Sequence, residues 1–195
     1  PISTLNNLAA LLFILPYFFF SATAGQIADK YERSQLIRFI KILEIVIMLI
    51  GSAGFLLGNL WLLLFALFLM GTHSTCFGPI KYAILPEILK PQELMSGNAL
   101  FQSGTSIAIL VGMILGGAVI ASSEGNLLWI SITVVTIACL GYLSSRFILP
   151  QKVAEPDLKI DWNFFRTSFQ TLKYVKSIPV IFMILLGNSW YWFYG

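Results

Sequence analysis

The chain has 195 residues, of which 57% are hydrophobic and 11% are charged, and its mean hydropathy is +0.84. A soluble domain of this composition would expose far too much apolar surface to water, so the composition excludes that class. The formal net charge is +3. The basic residues lie in separate turns between apolar runs and form no continuous patch, which argues against nucleic-acid binding.

Apolar runs long enough to cross a lipid bilayer follow one another along the chain. About 20 residues of α-helix cross a hydrocarbon core of ~30 Å. The sequence predicts charge-free spans at 5–24, 60–80, 94–121 and 127–145, a charge-bearing span at 36–57 and a last span opening at Ile178. Because backbone groups in lipid must be satisfied within the segment, we predict an all-α, polytopic membrane protein.

The basic residues define the sides of the membrane. All 12 lysines and arginines belong to the connections after the first, third and fifth spans or to the span ends beside them. The other two connections, 58–59 and 122–126, contain no basic residue. By the positive-inside rule the basic side is cytoplasmic, so the first span enters from outside. We expect a cytoplasmic location for Asp29, Lys90 and Lys159 and an external one for Asn59 and Glu124.

The one long connection, 150–177, is polar but contains an amphipathic segment. Its large apolar side chains recur at steps of three, four and three residues, which places on one helical face Trp162, Phe165, Phe169 and Leu172. We predict a helix that lies flat at the cytoplasmic membrane surface, with Asp161 as its N-cap. The alternative is an ordinary solvated linker.

A charged motif, Gly25-Gln-Ile-Ala-Asp-Lys-Tyr-Glu-Arg33, occupies the turn after the first span. It resembles the loop signature of major facilitator superfamily transporters, and the matching positions are Gly25, Asp29, Lys30 and Arg33. The resemblance implies a conformational-switch loop, in which the aspartate pairs across the two halves of the transporter and the basic residues anchor the turn at the lipid surface. Glu32 and Ser34 stand where a glycine and a further basic residue are usual. A generic charged turn with Asp29 as a cap is the alternative.

Three longer stretches of the sequence resemble one branch of this superfamily. Residues 77–89, 93–121 and 161–179 are similar to bacterial lysophospholipid transporters and to the transporter segment fused to acyltransferase and acyl-carrier-protein synthetase domains. The resemblance implies a fragment of a twelve-helix major facilitator fold. In that fold, 1–149 corresponds to helices 2 to 6, 150–177 to a cytoplasmic linker and 178–195 to the start of helix 7. The expected partners are membrane lipids and the remaining helices of the parent transporter.

The function implied by the resemblance is alternating-access transport of lysophospholipid to the cytoplasmic leaflet of the bacterial inner membrane, without a cofactor. The alternatives are a major facilitator transporter of another small solute and a membrane scaffold or channel subunit. An enzyme is not expected, because an acyltransferase needs a histidine base with an aspartate four residues beyond it, and Phe77 stands there after His73. No metal-ligand motif occurs in the sequence. An acyltransferase fused outside this chain stays open.

Polar residues inside apolar spans mark candidate cavity or substrate positions, because they are costly in lipid. Arg38, Lys41 and Glu44 recur every three residues on the second span. Glu44 is the deepest carboxylate, and Lys41 is the nearest candidate for a purely structural ion pair with it. His73 follows Thr72 in a polar belt before Pro79, a residue that favours a kink. His73 is either a proton relay or a buried histidine bonded to a carbonyl.

Further along the chain, Lys81 is a candidate for binding a lipid head group. The favoured alternative is that it joins a cytoplasmic charge network with Glu87, Lys90 and Glu93. Asn98 and Gln102 lie one turn apart on the fourth span, 94–121, and are candidates for the cavity side or for hydrogen bonds between helices.

Overall fold

A computed structural model of the chain describes residues 2–122, 126–150, 153 and 155–194. Glu124, predicted to be external, and Lys152, one of the cytoplasmic basic residues, lie outside the described residues. The described residues form eight helices and no strand: α1 (Ile2–Lys30), α2 (Arg33–Leu56), α3 (Leu60–Ala83), α4 (Leu85–Ile88), α5 (Leu94–Ser122), α6 (Leu127–Ser145), α7 (Phe164–Lys176) and α8 (Pro179–Tyr194).

Five segments of the described chain are long and apolar enough to cross a membrane. They are α1, α2, α3 continued by α4, α5 and α6, and the pair α7 and α8, bent by 115°, passes the same test when taken together. The prediction of an all-α polytopic membrane protein is therefore confirmed. α1 extends beyond its apolar run to Lys30, because a helix keeps its backbone hydrogen bonds where its side chains reach the polar interface.

Four of the long helices form one packed group. α1 lies against α3, α3 against α2, and α2 against α6. At one end of this group a buried apolar cluster joins three helices and the residue after α3: Ala28, Ile37, Ile40, Ile80 and Ile84. Gly71 lets α3 approach α1 closely, because a Cβ there would collide with the backbone carbonyl of Phe13.

The turns between the packed helices follow from local caps. Glu32 is the N-cap of α2, and its carboxylate accepts hydrogen bonds from the backbone N–H groups of Ser34 and Gln35 at 2.8 and 2.9 Å. Asn59 caps α3 in the same way. Gly58 before it has φ 61°, a left-handed conformation that glycine adopts without steric cost. The departure of Glu32 from the family motif therefore has a structural role.

α5 stands apart from this group. No residue of α5 is buried, and within the described part of the chain it lies beside α4 and α6 and contacts the last turn of α3 through Lys81 and Tyr82. A Cβ added at Gly104, Gly112 or Gly116 would meet no other atom within 4 Å. These three glycines thus have no close neighbour among the described residues.

The predicted amphipathic helix of the linker is present as α7, but its predicted cap is wrong. α7 begins at Phe164, and its N-cap is Asn163, whose side-chain oxygen accepts from the backbone N–H of Arg166 at 3.1 Å. Asp161 lies two residues earlier and accepts from the backbone N–H of Asn163 at 2.9 Å. It closes a turn before the helix, because the chain is still extended at this point.

Candidate functional site

A group of charged side chains lies where α1 ends and α2 begins, next to the short helix α4. The side chain of Arg33 is only 7% exposed and forms ion pairs with Glu87 of α4 and with Asp29, whose carboxylate is 3.5 Å away. The carboxylate of Asp29 is 52% exposed. Of the predicted switch-loop residues, the structure brings together Asp29 and Arg33, while Lys30 lies 5.9 Å from the ring of Tyr31. Gly25 has open space around it.

The linker is attached to the same end of α1. The backbone N–H of Glu155 donates to the carbonyl of Asp29 at 3.0 Å, and that of Asp161 donates to the side-chain oxygen of Gln26 at 2.8 Å. The ring of Phe164 packs edge-on against Phe19 with centroids 5.0 Å apart. No sequence pattern singles out Gln26, because its partner is a backbone group 135 residues away.

The predicted charge network of Lys81, Glu87, Lys90 and Glu93 is only partly formed. Glu87 binds Arg33, and the carboxylate of Glu93 accepts from the backbone N–H of Lys90 at 3.0 Å. Lys81 has no carboxylate partner among the described residues. Its ammonium nitrogen lies over two aromatic rings, 4.9 Å from the centroid of Tyr82 and 5.5 Å from that of Phe101.

Lys81 borders an apolar cavity of about 500 Å³. α2, α3, α4, α5 and the segment 147–149 all contribute to its walls, which include Ile37, Phe77, Leu85, Phe101 and Ile148, and Lys81 is the only charged residue among them. A second apolar cavity of about 560 Å³ lies between α4 and α5 and shares Leu85 and Phe101 with the first. The arrangement places one cation at the edge of a largely hydrocarbon-like space.

Arg38 holds one wall of this cavity. Its guanidinium donates to the carbonyl of Ile148 at 3.0 Å, three residues beyond the end of α6. Ile148 lies outside the helices, so its carbonyl has no helical partner, and an arginine from a neighbouring helix supplies the donor here. The structure thus separates Arg38 from Lys41 and Glu44, with which it was grouped by sequence.

Lys41, Glu44 and His73 form a second polar group, named here the Glu44 cluster. The ammonium of Lys41 is 2.7 Å from the carboxylate of Glu44, and Nε2 of His73 is 3.6 Å from the same carboxylate oxygen. The side chains are 20, 17 and 7% exposed, respectively. Sequence reasoning found the Lys41 pair but missed the approach of His73, because that residue comes from a different helix.

Asn98 and Gln102 do not join either group. Both are exposed on α5, and Gln102 accepts a hydrogen bond from the hydroxyl of Tyr82 at 3.1 Å. Asn98 has no hydrogen-bond partner in the part of the chain that the structure describes. Within these same residues no three histidine, cysteine or acidic side chains lie close enough to hold a metal ion.

The fold and its switch-loop motif agree with a family match over almost the whole chain. Residues 3–195 match the family model described as the Major Facilitator Superfamily. The chain therefore belongs to this superfamily, a family of multi-pass membrane transporters.

Several curated relatives are named as lysophospholipid transporters, and none of these names describes an enzyme. The chain is 25% identical over 192 residues to the lysophospholipid transporter LplT of Cronobacter sakazakii, a match covering 93% of this chain and 44% of that protein. It is 32% identical over 105 residues to the LplT of Pectobacterium carotovorum, covering 54% of this chain and 24% of that protein. The chain thus spans less than half the length of these relatives.

Proposed function

We propose that this chain is part of an alternating-access transporter that moves lysophospholipids to the cytoplasmic leaflet of a bacterial inner membrane. The observation that supports this proposal most directly is Lys81 at the edge of the apolar cavity of about 500 Å³. The names of the curated relatives support the same substrate class.

A lysophospholipid matches this site chemically. It has one acyl chain and one phosphate, and each methylene group removed from water contributes about 0.8 kcal/mol. Lys81 is free of carboxylate partners among the described residues, so its ammonium group is available to the phosphate. Lys81 lies in the last turn of α3, on the side of the membrane that the basic residues mark as cytoplasmic.

The charged group around Arg33 is the proposed switch. Arg33 joins α1, α2 and α4, and the linker is bonded to the last turns of α1 at Gln26 and Asp29. Asp29 keeps half of its carboxylate surface exposed, which leaves it available to a residue of the other half of the transporter. Gly25 and Lys30 complete the proposed switch loop.

A polar solute is the weaker candidate. The two cavities have almost entirely apolar walls, and a sugar or amino acid would lose its hydrogen bonds to water there without gaining partners. A scaffold or channel subunit has no need of a cation beside an apolar cavity.

The test measures lysophospholipid movement by the full-length protein in proteoliposomes, with Lys81→Met compared with Lys90→Met as a matched control. Lys90 is an exposed lysine just before α5 and lines neither cavity. A charge-assisted hydrogen bond contributes roughly 1.5–3 kcal/mol, so Lys81→Met is expected to slow transport about tenfold or more. Equal transport by the two variants would remove Lys81 from the site.

A further inference from the structure

The linker helix α7 has an exposed apolar face that ends in lysines. Phe165, Phe169 and Leu172 lie on this face, and all three side chains are exposed. Lys176 follows Phe169 by two helical turns, so it continues the same face, and Lys173 lies beside it in the last turn. On a purely solvated helix, lysines would instead be expected on the side opposite the apolar face.

The two lysines share a cavity with the apolar side chains next to them. The cavity has a volume of about 350 Å³ and is lined by Phe169, Leu172, Lys173 and Lys176. Neither lysine has a carboxylate within ion-pair distance among the described residues. Arg166, near the other end of α7, is 3.8 Å from the carboxylate of Asp161. The free positive charge of the helix is therefore concentrated at its lysine end.

The chain places these lysines at the level of the lipid head groups. The apolar helix α8, which opens the last predicted span, begins at Pro179, soon after Lys176. α7 is bent by 115° from α8, so it lies close to the plane of the membrane where α8 crosses it. Lysine side chains keep their methylene groups on apolar surface while the ammonium reaches the phosphate level. Both lysines lie on the side that the basic residues mark as cytoplasmic.

The same helix is connected to α1. The backbone N–H of Asp161 donates to Gln26 at 2.8 Å, and the ring of Phe164 packs on Phe19 with centroids 5.0 Å apart. The linker also donates a backbone hydrogen bond to the carbonyl of Asp29. A change in how α7 lies on the membrane therefore reaches the last turns of α1, which contain the proposed switch loop.

We propose that the lysine end of α7 binds the phosphate of an anionic phospholipid in the cytoplasmic leaflet, and that this binding accelerates transport. The regulatory part of this inference rests on the transport function proposed above. The phosphate lies between the two ammonium groups, and an acyl chain lies along Phe169 and Leu172. A zwitterionic phospholipid has its own cation beside the phosphate, so two lysines attract it less. The bound lipid holds α7 on the membrane and so preserves its contacts with α1. The site is separate from both apolar cavities, because no residue of α7 lines either of them.

The first experiment measures binding and needs no transport. Native mass spectrometry counts the phosphatidylglycerol molecules retained by the full-length protein in detergent, for the wild type and for Lys173→Gln combined with Lys176→Gln. A lysine near an anionic surface contributes about fivefold in affinity, so the double variant should bind roughly 25-fold more weakly. The matched control, Lys90→Gln combined with Lys159→Gln, removes the same charge from exposed lysines outside α7 and should bind like the wild type. Lys173→Arg combined with Lys176→Arg keeps the charge and should also retain the lipid.

Equal retention of phosphatidylglycerol by the α7 double variant and its control would overturn the site. If the α7 variant then also melts at a lower temperature, its lysines contact the other half of the transporter instead of lipid. Because both lysines are exposed, the α7 variant is expected to melt like the wild type.

The second experiment measures lysophospholipid transport in vesicles of phosphatidylcholine alone and of phosphatidylcholine mixed with phosphatidylglycerol. The wild type and the control variant should be faster in the mixed vesicles, and the α7 double variant should lose this response. A wild-type rate that ignores phosphatidylglycerol, or a full response in the α7 variant, overturns the regulatory role. A protein that moves no lysophospholipid in either vesicle, while only its α7 variant loses bound phosphatidylglycerol, refutes the transport function and leaves the lipid site in place.

Discussion

Helices α3 and α5 are both long and apolar, but the fold uses them differently. α3 buries residues along its whole length against α1 and α2, including Leu64, Gly71 and Ile80, whereas α5 buries none. Lipid tails are as apolar as leucine, so helices associate in membranes through close packing and polar contacts. α3 has both kinds of contact, in Gly71 and His73. The comparison shows that apolarity places a helix in the membrane but does not choose its neighbours.

The largest difference between the two helices is expected at their polar contacts. Glu44→Gln removes the 2.7 Å partner of Lys41 beside α3 and should destabilise the protein by about 3–5 kcal/mol. Gln102→Ala on α5 breaks only an exposed hydrogen bond and should change stability by about 0.5 kcal/mol or less. Melting temperatures of the full-length protein in detergent measure both. Lys41→Met added to Glu44→Gln should restore most of the loss, and a double variant as unstable as the single one contradicts the ion pair.

The next largest difference is expected at the glycines. A Cβ at Gly71 collides with the backbone of Phe13, so Gly71→Ala should cost roughly 1–3 kcal/mol. Gly116→Ala on α5 meets open space within this chain and should be close to neutral. The same melting measurement applies. A large loss from Gly116→Ala in the full-length protein would show that α5 packs tightly on helices outside this chain.

A smaller effect on stability, but a strong effect on transport, is expected at Asp29. Losing its ion pair with Arg33 should cost about 1 kcal/mol or less, because the carboxylate is half exposed. If Asp29 pairs with the other half of the transporter in one access state, Asp29→Asn should slow transport far more than it lowers the melting temperature. Glu93→Gln, just before α5, is the matched control. Wild-type transport with a collapsed melting temperature would make Asp29 purely structural.

Single cysteine substitutions outside the spans test the topology, and they should hardly change the stability of the protein. α3 and α5 should run in opposite directions, so Asn59→Cys before α3 should react with an impermeant reagent from outside and Lys90→Cys before α5 from the cytoplasm. Lys159→Cys in the linker should behave like Lys90→Cys. The labelling uses oriented vesicles and a background without Cys76 and Cys139. Reaction of Asn59→Cys and Lys159→Cys from the same face refutes the topology.

The positions of the helices were largely predictable from local sequence. The predicted runs at 60–80 and 127–145 became α3 (Leu60–Ala83) and α6 (Leu127–Ser145). The amphipathic helix α7 was also predictable, although its cap was placed at Asp161 instead of Asn163. Both side chains bind backbone N–H groups nearby, and the sequence does not show which of them precedes the first helical turn.

The candidate site was predictable residue by residue but not as an arrangement. Arg38, Lys41 and Glu44 recur every three residues. In the structure, however, Arg38 donates to the carbonyl of Ile148, whereas Glu44 lies beside His73. Asn98 and Gln102 share a helical face, yet only Gln102 has a partner among the described residues. Periodicity reports which side chains share a face, and it does not identify what lies opposite that face.

Local sequence was enough to predict the class of protein and the approximate extent of its spans, because a lipid environment forces each apolar run to satisfy its own backbone hydrogen bonds. The caps at Glu32 and Asn59 are local contacts too, because their partners lie within three residues. The packing of whole helices sets which helices are neighbours, which residue faces Glu44 and where Lys81 meets an apolar cavity. Those contacts join residues distant in the chain, and their geometry depends on how closely whole helices approach one another.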